Sequence, residues 1–166
     1  DSTAAYKILC ELEDYKKSAC VIIKHGNPCG VSVDNNILGA YKKALNTDPV
    51  SAFGGIVAVN KQVDEKLAKK ILSIFTEVII AKKFTRQAIK TLSLKKNIRI
   101  VEVNKFDGAL LDKEEIRSVL GGYLVQETSL SKSNQEEIKV VTKRKPSKKD
   151  LNTVSYTHLT LPTIYS

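Results

Sequence analysis

The chain of 166 residues is predicted to have an α/β fold, layered α/β/α, with a mixed and largely parallel sheet. Short apolar segments typical of buried strands alternate with segments whose apolar residues recur at helical spacing. Asp, Asn or Thr, which cap helices, stand at the start of most helical segments. Strands that alternate with helices favour parallel pairing, with helices packed on the faces of the sheet.

The first elements are a helix, a strand and a loop. The helix covers residues 1–17, because apolar residues recur along it at helical spacing: Ala5, Ile8, Leu9 and Leu12. The continuous apolar segment 19–24 predicts a buried strand. Residues 25–30 contain a proline and two glycines and predict a loop.

A second helix and a second strand follow. Asp34 or Asn35 is expected to cap the helix, whose apolar residues are Ile37, Leu38, Tyr41 and Leu45. Pro49 should end this helix, since proline cannot continue one. A glycine-containing loop at residues 51–55 then leads into the second strand, 55–60.

Two further helices are expected after Asp64 and Thr85, which cap them. The residues expected to face the core are Leu67, Ile71 and Leu72 in the first and Ala88, Ile89 and Leu92 in the second. Four further strands are predicted, at residues 77–81, 98–103, 119–126 and 138–142. Gly121-Gly122 interrupts the fifth of the six strands and indicates a bulge or close backbone packing.

Composition limits the class of protein. Hydrophobic residues are 42% and charged residues 27% of the chain, which excludes a disordered or collagen-like protein. No apolar segment approaches the roughly 18 residues of a membrane span, so we expect no membrane partner, and no signal peptide is visible. Cys10, Cys20 and Cys29 cannot all pair, which indicates reduced thiols and hence a cytoplasmic protein. Because the sequence contains no methionine, we interpret its first residue as a point inside a longer protein.

The net charge is +9, from 27 basic and 18 acidic residues. It indicates either a solvated, lysine-rich surface or attraction to polyanions such as nucleic acids, phosphates or folate carboxylates. The densest basic segment, 143–149, contains no aromatic residue on which bases could stack, and no zinc finger or RNA-recognition motif occurs. We therefore expect no nucleic acid partner. A non-catalytic basic α/β module that binds nucleic acid or a protein partner is the alternative function.

Residues 24–30 (KHGNPCG) are the strongest candidate for a catalytic segment. They follow a strand, and open α/β sheets bind ligands at the carboxyl ends of their strands. His25 can act as a general base near neutral pH, and the neighbouring ammonium of Lys24 is expected to favour its uncharged form. Asn27 offers an amide for hydrogen bonds. The alternative is a surface turn in which the lysine and the histidine have no role.

Two other segments could bind a ligand. In residues 48–55, Phe53 could stack on a heterocycle, and Gly54-Gly55 would let backbone amides approach a ligand closely. Alternatively, Phe53 fills the core. Glu77, at the start of the third strand, could accept hydrogen bonds from ligand hydroxyls or could be an ordinary surface residue.

Known metal and nucleotide motifs are absent from the sequence. A zinc deaminase requires H-x-E together with P-C-x-x-C. Here Cys29 follows Pro28, but no second cysteine stands at that spacing, and His25 is not followed by x-Glu. Walker A and G-x-G-x-x-G motifs are also missing. We therefore expect no metal site.

Five segments, in order along the chain, resemble one family: IIKHGNPCG, DPVSAFGGIVAVN, EVIIA, GGYLVQE and VVTKRKP. They are similar to the AICAR transformylase domain of the bifunctional purine biosynthesis enzymes, which carry IMP cyclohydrolase activity on a separate N-terminal domain. The resemblance implies a cytidine-deaminase-like unit without zinc. It also implies formyl transfer from the co-substrate 10-formyltetrahydrofolate to the 5-amino group of AICAR (aminoimidazole carboxamide ribonucleotide). The product, FAICAR, is cyclised to IMP by the other activity.

The resemblance also implies roles for individual residues. Lys24 and His25 correspond to the catalytic pair, in which the histidine takes the amine proton and the lysine stabilises the oxyanion. Four residues correspond to positions that contact the substrate, namely Asn27, Phe53, Gly54 and Glu77.

By the same resemblance, residues 1–153 are part of a transformylase domain whose second half, like the cyclohydrolase domain, lies outside this sequence. The family's active site lies between two subunits, so we expect a homodimer for the full-length protein and an inactive fragment when it is alone. Residues 154–166 contain no Lys, Arg, Asp or Glu and resemble a translated sequencing adapter. We interpret them as a non-native tail, the alternative being a native apolar strand.

Overall fold

The computed structural model describes residues 1–12, 16–107, 114–127, 140–141 and 143–147. The chain forms two compact units, Asp1–Gly108 and Ala109–Ser166. The first unit contains most of the described elements and all the predicted site residues. The second is represented by a single described hairpin.

The first unit is built on a five-stranded sheet of β1 (Ser18–Lys24), β2 (Asn27–Asp34), β3 (Gly55–Val63), β4 (Thr76–Phe84) and β5 (Arg99–Glu102). The spatial order is β2-β1-β3-β4-β5. β1 is antiparallel to both β2 and β3, whereas β3, β4 and β5 are parallel to one another. The predicted α/β class and mixed sheet are confirmed. Parallel pairing is less dominant than predicted, because β1 and β2 are joined by a tight turn that forces them to be antiparallel.

Four helices cover the two faces of this sheet: α1 (Ser2–Leu12), α2 (Ile37–Thr47), α3 (Glu65–Ile71) and α4 (Arg86–Leu92). α2, α3 and α4 share one hydrophobic core with alternate strand residues such as Cys20, Ile22 and Val57. α1 contacts β1 and β3, and its buried residues lie outside that core. Because successive strand residues point to opposite faces, α1 lies on the other face, and the predicted α/β/α layering is confirmed. No helix in the described part of the chain is long and apolar enough to cross a bilayer.

The helix caps were predicted correctly at two of three positions. Asp64 and Thr85 accept hydrogen bonds from the backbone amides of Leu67 and Ala88. α2, however, is capped by Asn36, whose Oδ1 lies 2.7 Å from the amide nitrogen of Gly39, and not by Asp34 or Asn35. The side chain of Asp34, the last residue of β2, instead forms an ion pair with Lys43 of α2 at 2.7 Å. This ion pair links β2 to the helix. Hydrogen bonding to Lys43 lowers the pKa of Asp34.

The ends and faces of two helices differ from the prediction. α1 ends at Leu12 instead of residue 17, and Lys16, with φ 51°, has a left-handed backbone that no α-helix contains. In α4, Ala88 and Leu92 are buried, but Ile89 is 43% exposed and does not face the core. A helix of seven residues has room for only one narrow buried stripe. Residues four positions apart, such as Ala88 and Leu92, lie on that stripe, and Ile89 lies beside it.

Asn60 connects the start of β1 to β3. Its side chain is 1% exposed; its Oδ1 accepts a hydrogen bond from the amide of Ala19 (2.7 Å) and its Nδ2 donates to the carbonyl of Lys17 (2.8 Å). The apolar pattern predicted Asn60 at the end of a strand and indicated no role for it. The structure shows that it satisfies one backbone group within β1 and one immediately before it.

Replacing Asn60 with alanine is therefore expected to lower the free energy of unfolding by about 1–3 kcal/mol, since the buried amide of Ala19 loses its partner. Urea denaturation followed by far-ultraviolet circular dichroism measures this change. Asn97→Ala is the matched control, because Asn97 is exposed and should shift stability by no more than about 0.5 kcal/mol. Equal effects of the two substitutions would contradict the role given to Asn60.

The second unit contains an antiparallel hairpin of β6 (Glu114–Val119) and β7 (Gly122–Glu127). The prediction of one interrupted strand at residues 119–126 was wrong, because Gly121, with φ 84°, reverses the chain there. Of the predicted strand 138–142, the structure describes only residues 140–141, which are not in a strand. The remainder, like residues 154–166, lies outside the described ranges.

Candidate functional site

The predicted site residues lie at one end of the sheet, where β1 ends and β3 and β4 begin. Ile23 of β1 pairs with Ile56 of β3, and Gly55 of β3 pairs with Thr76 of β4. Because β1 is antiparallel to β3, this end is the carboxyl end of β1 but the amino end of β3 and β4. Lys24 and His25 therefore stand at the carboxyl end of their strand, as predicted, whereas Phe53, Gly54 and Glu77 stand at the amino ends of β3 and β4.

His25 lies at the tip of a two-residue hairpin turn. Lys24 pairs with Asn27, and the two residues between them have left-handed backbones, with φ 53° at His25 and 77° at Gly26. Positive φ at both central residues is typical of a type I′ turn, and histidine adopts this conformation more readily than most residues. The turn leaves the His25 side chain exposed.

The predicted loop 25–30 is thus wrong beyond its first two residues, since β2 begins at Asn27. Pro28 is compatible with a strand here because β2 is at the edge of the sheet. The pairing of β1 with β2 also shifts register next to it, between Ile22 and Ile23.

A contact from the first residue of the chain, which no sequence motif indicated, also holds this turn. The amide of Gly26 donates a hydrogen bond to Oδ1 of Asp1, at 2.5 Å. These residues are 25 positions apart, and no local pattern indicates their contact. The carboxylate of Asp1 therefore fixes the backbone next to His25.

Lys24 connects the end of β1 to the loop that precedes β3. Its Nζ donates a hydrogen bond to the carbonyl oxygen of Phe53, at 2.8 Å. The ammonium also acts on the half-buried thiol of Cys29, whose pKa is raised by burial and by Asp48 and lowered by Lys24. Burial has the largest effect of the three, so Cys29 remains a protonated thiol near neutral pH.

Phe53 is exposed and does not fill the core, so that alternative is wrong. Its side chain is 58% exposed, and that of Phe75 is 49% exposed. The two ring centroids are 5.5 Å apart and the rings are tilted by 48°. Gly54, with φ 76°, donates its amide hydrogen to the carbonyl of Phe75 at 2.8 Å. Phe75 directly precedes β4. Neither a motif nor the spacing of apolar residues in the sequence indicated that it lies beside Phe53.

The loop that carries Phe53 is ordered by its own hydrogen bonds. Oδ1 of Asp48 accepts a hydrogen bond from the amide of Ser51, at 2.9 Å, and hydrogen bonds from Ser51 lower the pKa of Asp48. At the other end of the loop, a Cβ on Gly55 would lie 2.9 Å from the carbonyl oxygen of Ile23. Gly55 is therefore needed because the backbones of β1 and β3 approach closely there.

Asn27 and Glu77 are at the same end of the sheet but are less closely involved. Both side chains are exposed, Asn27 as the first residue of β2 and Glu77 as the second residue of β4. Beside Glu77, the Oγ1 of Thr76 is buried and has no hydrogen-bond partner among the described residues. The structure thus brings Lys24, Phe53, Gly54 and Phe75 into direct contact, places His25 and Asn27 next to Lys24, and leaves Glu77 nearby.

A separate groove of about 540 Å³ lies between α3 and α4. Its lining includes Lys69, Leu72, Lys90 and Leu94, and it shares no residue with the predicted site. Within the ranges that the structure describes, no three side chains of His, Cys, Asp or Glu are grouped as metal ligands.

The geometry at the end of β1 supports a defined set of chemical steps. An ammonium fixed by a backbone carbonyl can stabilise negative charge, and the exposed imidazole of the next residue along the chain can accept a proton. The exposed face of an aromatic ring can stack on a planar ligand. Together these groups suit proton removal and oxyanion stabilisation on a ligand that contains a flat ring.

Residues 1–164 match a family model described as the AICARFT/IMPCHase bienzyme. The chain is 44% identical over 150 residues to the bifunctional purine biosynthesis protein PurH of Fusobacterium nucleatum subsp. nucleatum, covering 90% of this chain and 28% of that protein. It is 41% identical over 157 residues to the protein of the same description from Thermoanaerobacter sp. (strain X514), covering 94% and 30%. The chain therefore spans less than a third of the length of these curated relatives.

The solved structures that match this chain have low sequence identity to it. The apo form of dCMP deaminase from the cyanophage S-TIM5 has a TM-score of 0.49 and 14% identity, and the match covers 60% of this chain and 94% of that chain. RibD from Acinetobacter baumannii has a TM-score of 0.47 and 13% identity, with 60% and 35% covered.

Proposed function

Since this chain belongs to the AICARFT/IMPCHase bienzyme family, we propose that it supplies part of the site for formyl transfer from 10-formyltetrahydrofolate to the 5-amino group of AICAR in purine biosynthesis. The observation that carries the proposal is the 2.8 Å hydrogen bond from Lys24 to Phe53. It joins Lys24, the neighbour of His25, to the backbone of the loop that carries the exposed ring of Phe53, so that acid–base groups and a stacking surface lie at one end of the sheet.

In this proposal His25 is the general base and Lys24 the group that stabilises the oxyanion. The AICAR amine is a poor nucleophile, because its lone pair is delocalised into the ring and the carboxamide. As its nitrogen bonds to the formyl carbon, the imidazole of His25 takes an amine proton. An ammonium has three donors, so Lys24 can contact Phe53 and the developing oxyanion together. The bond to the folate nitrogen then breaks, and that nitrogen receives the proton.

The remaining residues bind the nucleotide. Phe53 stacks on the AICAR ring, and Gly54 lets the backbone come close to it. Asn27, next to the catalytic turn, donates or accepts hydrogen bonds, and Glu77 accepts them from ribose hydroxyls. Holding the two substrates together in the reacting geometry contributes much of the remaining rate.

The curated relatives are more than three times as long as the matched part of this chain, so other parts of the intact protein can supply groups that the reaction needs. We propose that residues 1–153 form part of a transformylase domain, that the cyclohydrolase activity belongs to another part of the intact gene product, and that a homodimer completes the active site. No resident cofactor or metal has a part in the proposal. The family match extends over residues 154–164, and the interpretation of residues 154–166 as a non-native tail stays a prediction.

The test is an assay of the intact gene product beside the 166-residue chain. We expect the intact product to convert AICAR and 10-formyltetrahydrofolate to FAICAR, and the chain alone to give no turnover, because groups from outside it are needed. Spectroscopic detection of tetrahydrofolate follows formyl transfer, and cyclisation of synthetic FAICAR is measured separately. An intact product that cyclises FAICAR but transfers no formyl group would overturn the proposal.

A binding comparison separates the proposal from the basic binding module. The intact product is titrated by calorimetry with AICAR and, in parallel, with a short single-stranded DNA. Saturable binding of AICAR without comparable binding of DNA supports the enzyme. Binding of DNA that weakens steeply with salt, without binding of AICAR, would instead support the module.

A further inference from the structure

Phe75 is a half-exposed aromatic residue to which the proposed reaction gives no role. It stands in the turn before β4, is 49% exposed and contacts the ring of Phe53, which is 58% exposed. A pair of rings with this much surface in solvent contributes less to the core than a buried pair does. Its contacts with Gly54 and with the ring of Phe53 therefore call for a reason other than core packing.

Three contacts hold the two aromatic residues in one arrangement. The tilted ring contact, with centroids 5.5 Å apart, is a favoured aromatic geometry. The carbonyl of Phe75 accepts the amide hydrogen of Gly54 at 2.8 Å, and Lys24 donates to the carbonyl of Phe53. A Cβ on Gly54 would lie 3.6 Å from Cδ1 of Phe75, so the Phe75 ring lies near Gly54 and leaves room for only a small group between them.

We propose that Phe75 is a positioning residue that holds the ring of Phe53 in the orientation needed to stack on a planar heteroaromatic ring. Without this contact, Phe53, which is exposed on a loop, would sample several rotamers and would lose entropy on binding. With it, the stacking face is preorganised. The inference rests on the proposed function, in which that planar ring is the imidazole ring of AICAR.

The test compares a ligand that has the ring with one that lacks it. In the intact gene product, Phe75→Leu keeps an apolar side chain but removes the aromatic contact. We expect the Kd of AICAR to rise by about 3- to 10-fold, the range typical of one aromatic pair. The affinity for ribose 5-phosphate, which has no ring to stack, should change by less than about 2-fold, because the stacking contact is absent from that complex. Phe75→Tyr keeps the ring and should restore the affinity for AICAR.

Two controls test whether Phe75 affects AICAR binding only through its contact with the ring of Phe53. Phe53→Leu combined with Phe75→Leu should bind AICAR no more weakly than Phe53→Leu alone, because Phe75 acts only through that ring. Val50→Ala, at a position 83% exposed in the same loop, should leave both affinities unchanged. Calorimetric titration gives all of these values, and thermal unfolding confirms that each variant is folded.

The outcomes separate this inference from the proposed function. If the unsubstituted protein does not bind AICAR, the proposed function fails, and the inference fails with it. If it binds AICAR and Phe75→Leu binds equally well, only the inference is overturned. The same holds if Phe75→Leu weakens both ligands by the same factor, since that result indicates a general structural role.

Discussion

Replacing His25 with asparagine in the intact gene product is expected to lower kcat for formyl transfer by about 100-fold or more, because the reaction loses its general base. Asparagine has no group that accepts a proton near neutral pH, whereas its amide can still form hydrogen bonds. The KM for AICAR should change much less than kcat, since His25 acts on the reacting amine. Steady-state assays with both substrates varied measure the two constants.

Asparagine is preferred to alanine because of the backbone at this position. His25 has φ 53°, where most residues with a Cβ are strained by about 1–2 kcal/mol but asparagine is tolerated. His25→Asn should therefore keep the wild-type melting temperature, while His25→Ala should lower both activity and stability. Asn97→Ala, at an exposed position outside the site, should leave the rate unchanged. Full activity of His25→Asn would remove His25 from the mechanism.

Replacing Gly30 with alanine is expected to lower the free energy of unfolding by about 3 kcal/mol, at the upper end of the usual cost of overpacking. A Cβ at this position of β2 would overlap the carbonyl oxygen of Ala44 in α2. Because that atom belongs to the backbone of a helix, no side-chain rotation can relieve the overlap. α2 would have to move away from β2, and the core between them would loosen.

Gly122→Ala is the matched control for this substitution. It also adds a methyl group to a strand glycine, but nothing lies within 4 Å of the new Cβ. Its effect on the unfolding transition, followed in urea by circular dichroism, should be within about 0.5 kcal/mol. A loss of stability at Gly122 as large as that at Gly30 would show that contact with α2 is not the cause.

In the candidate site, the sequence could predict contacts between residues that are close together along the chain, but not contacts between distant ones. Lys24, His25 and Asn27 are adjacent in the sequence, so their proximity could be predicted from the motif. The contact of Lys24 with Phe53 spans 29 positions, and the resemblance to a family suggested only that both belong to one site. Phe75 and Asp1 were missed, because neither residue belongs to a motif and each reaches the site only through strand pairing or a distant hydrogen bond.

Local sequence determined the helices that Asp64 and Thr85 cap, the buried strands β1, β3 and β4, and the layered α/β class. Capping hydrogen bonds and apolar periodicity act within a few residues, so they can be recognised in a single chain. Tertiary structure decided the direction of β1 and β2, the left-handed turn at His25 and the contact between Phe53 and Phe75. These features depend on which backbones pair across the sheet, and such pairing is set by the summed burial of many distant side chains.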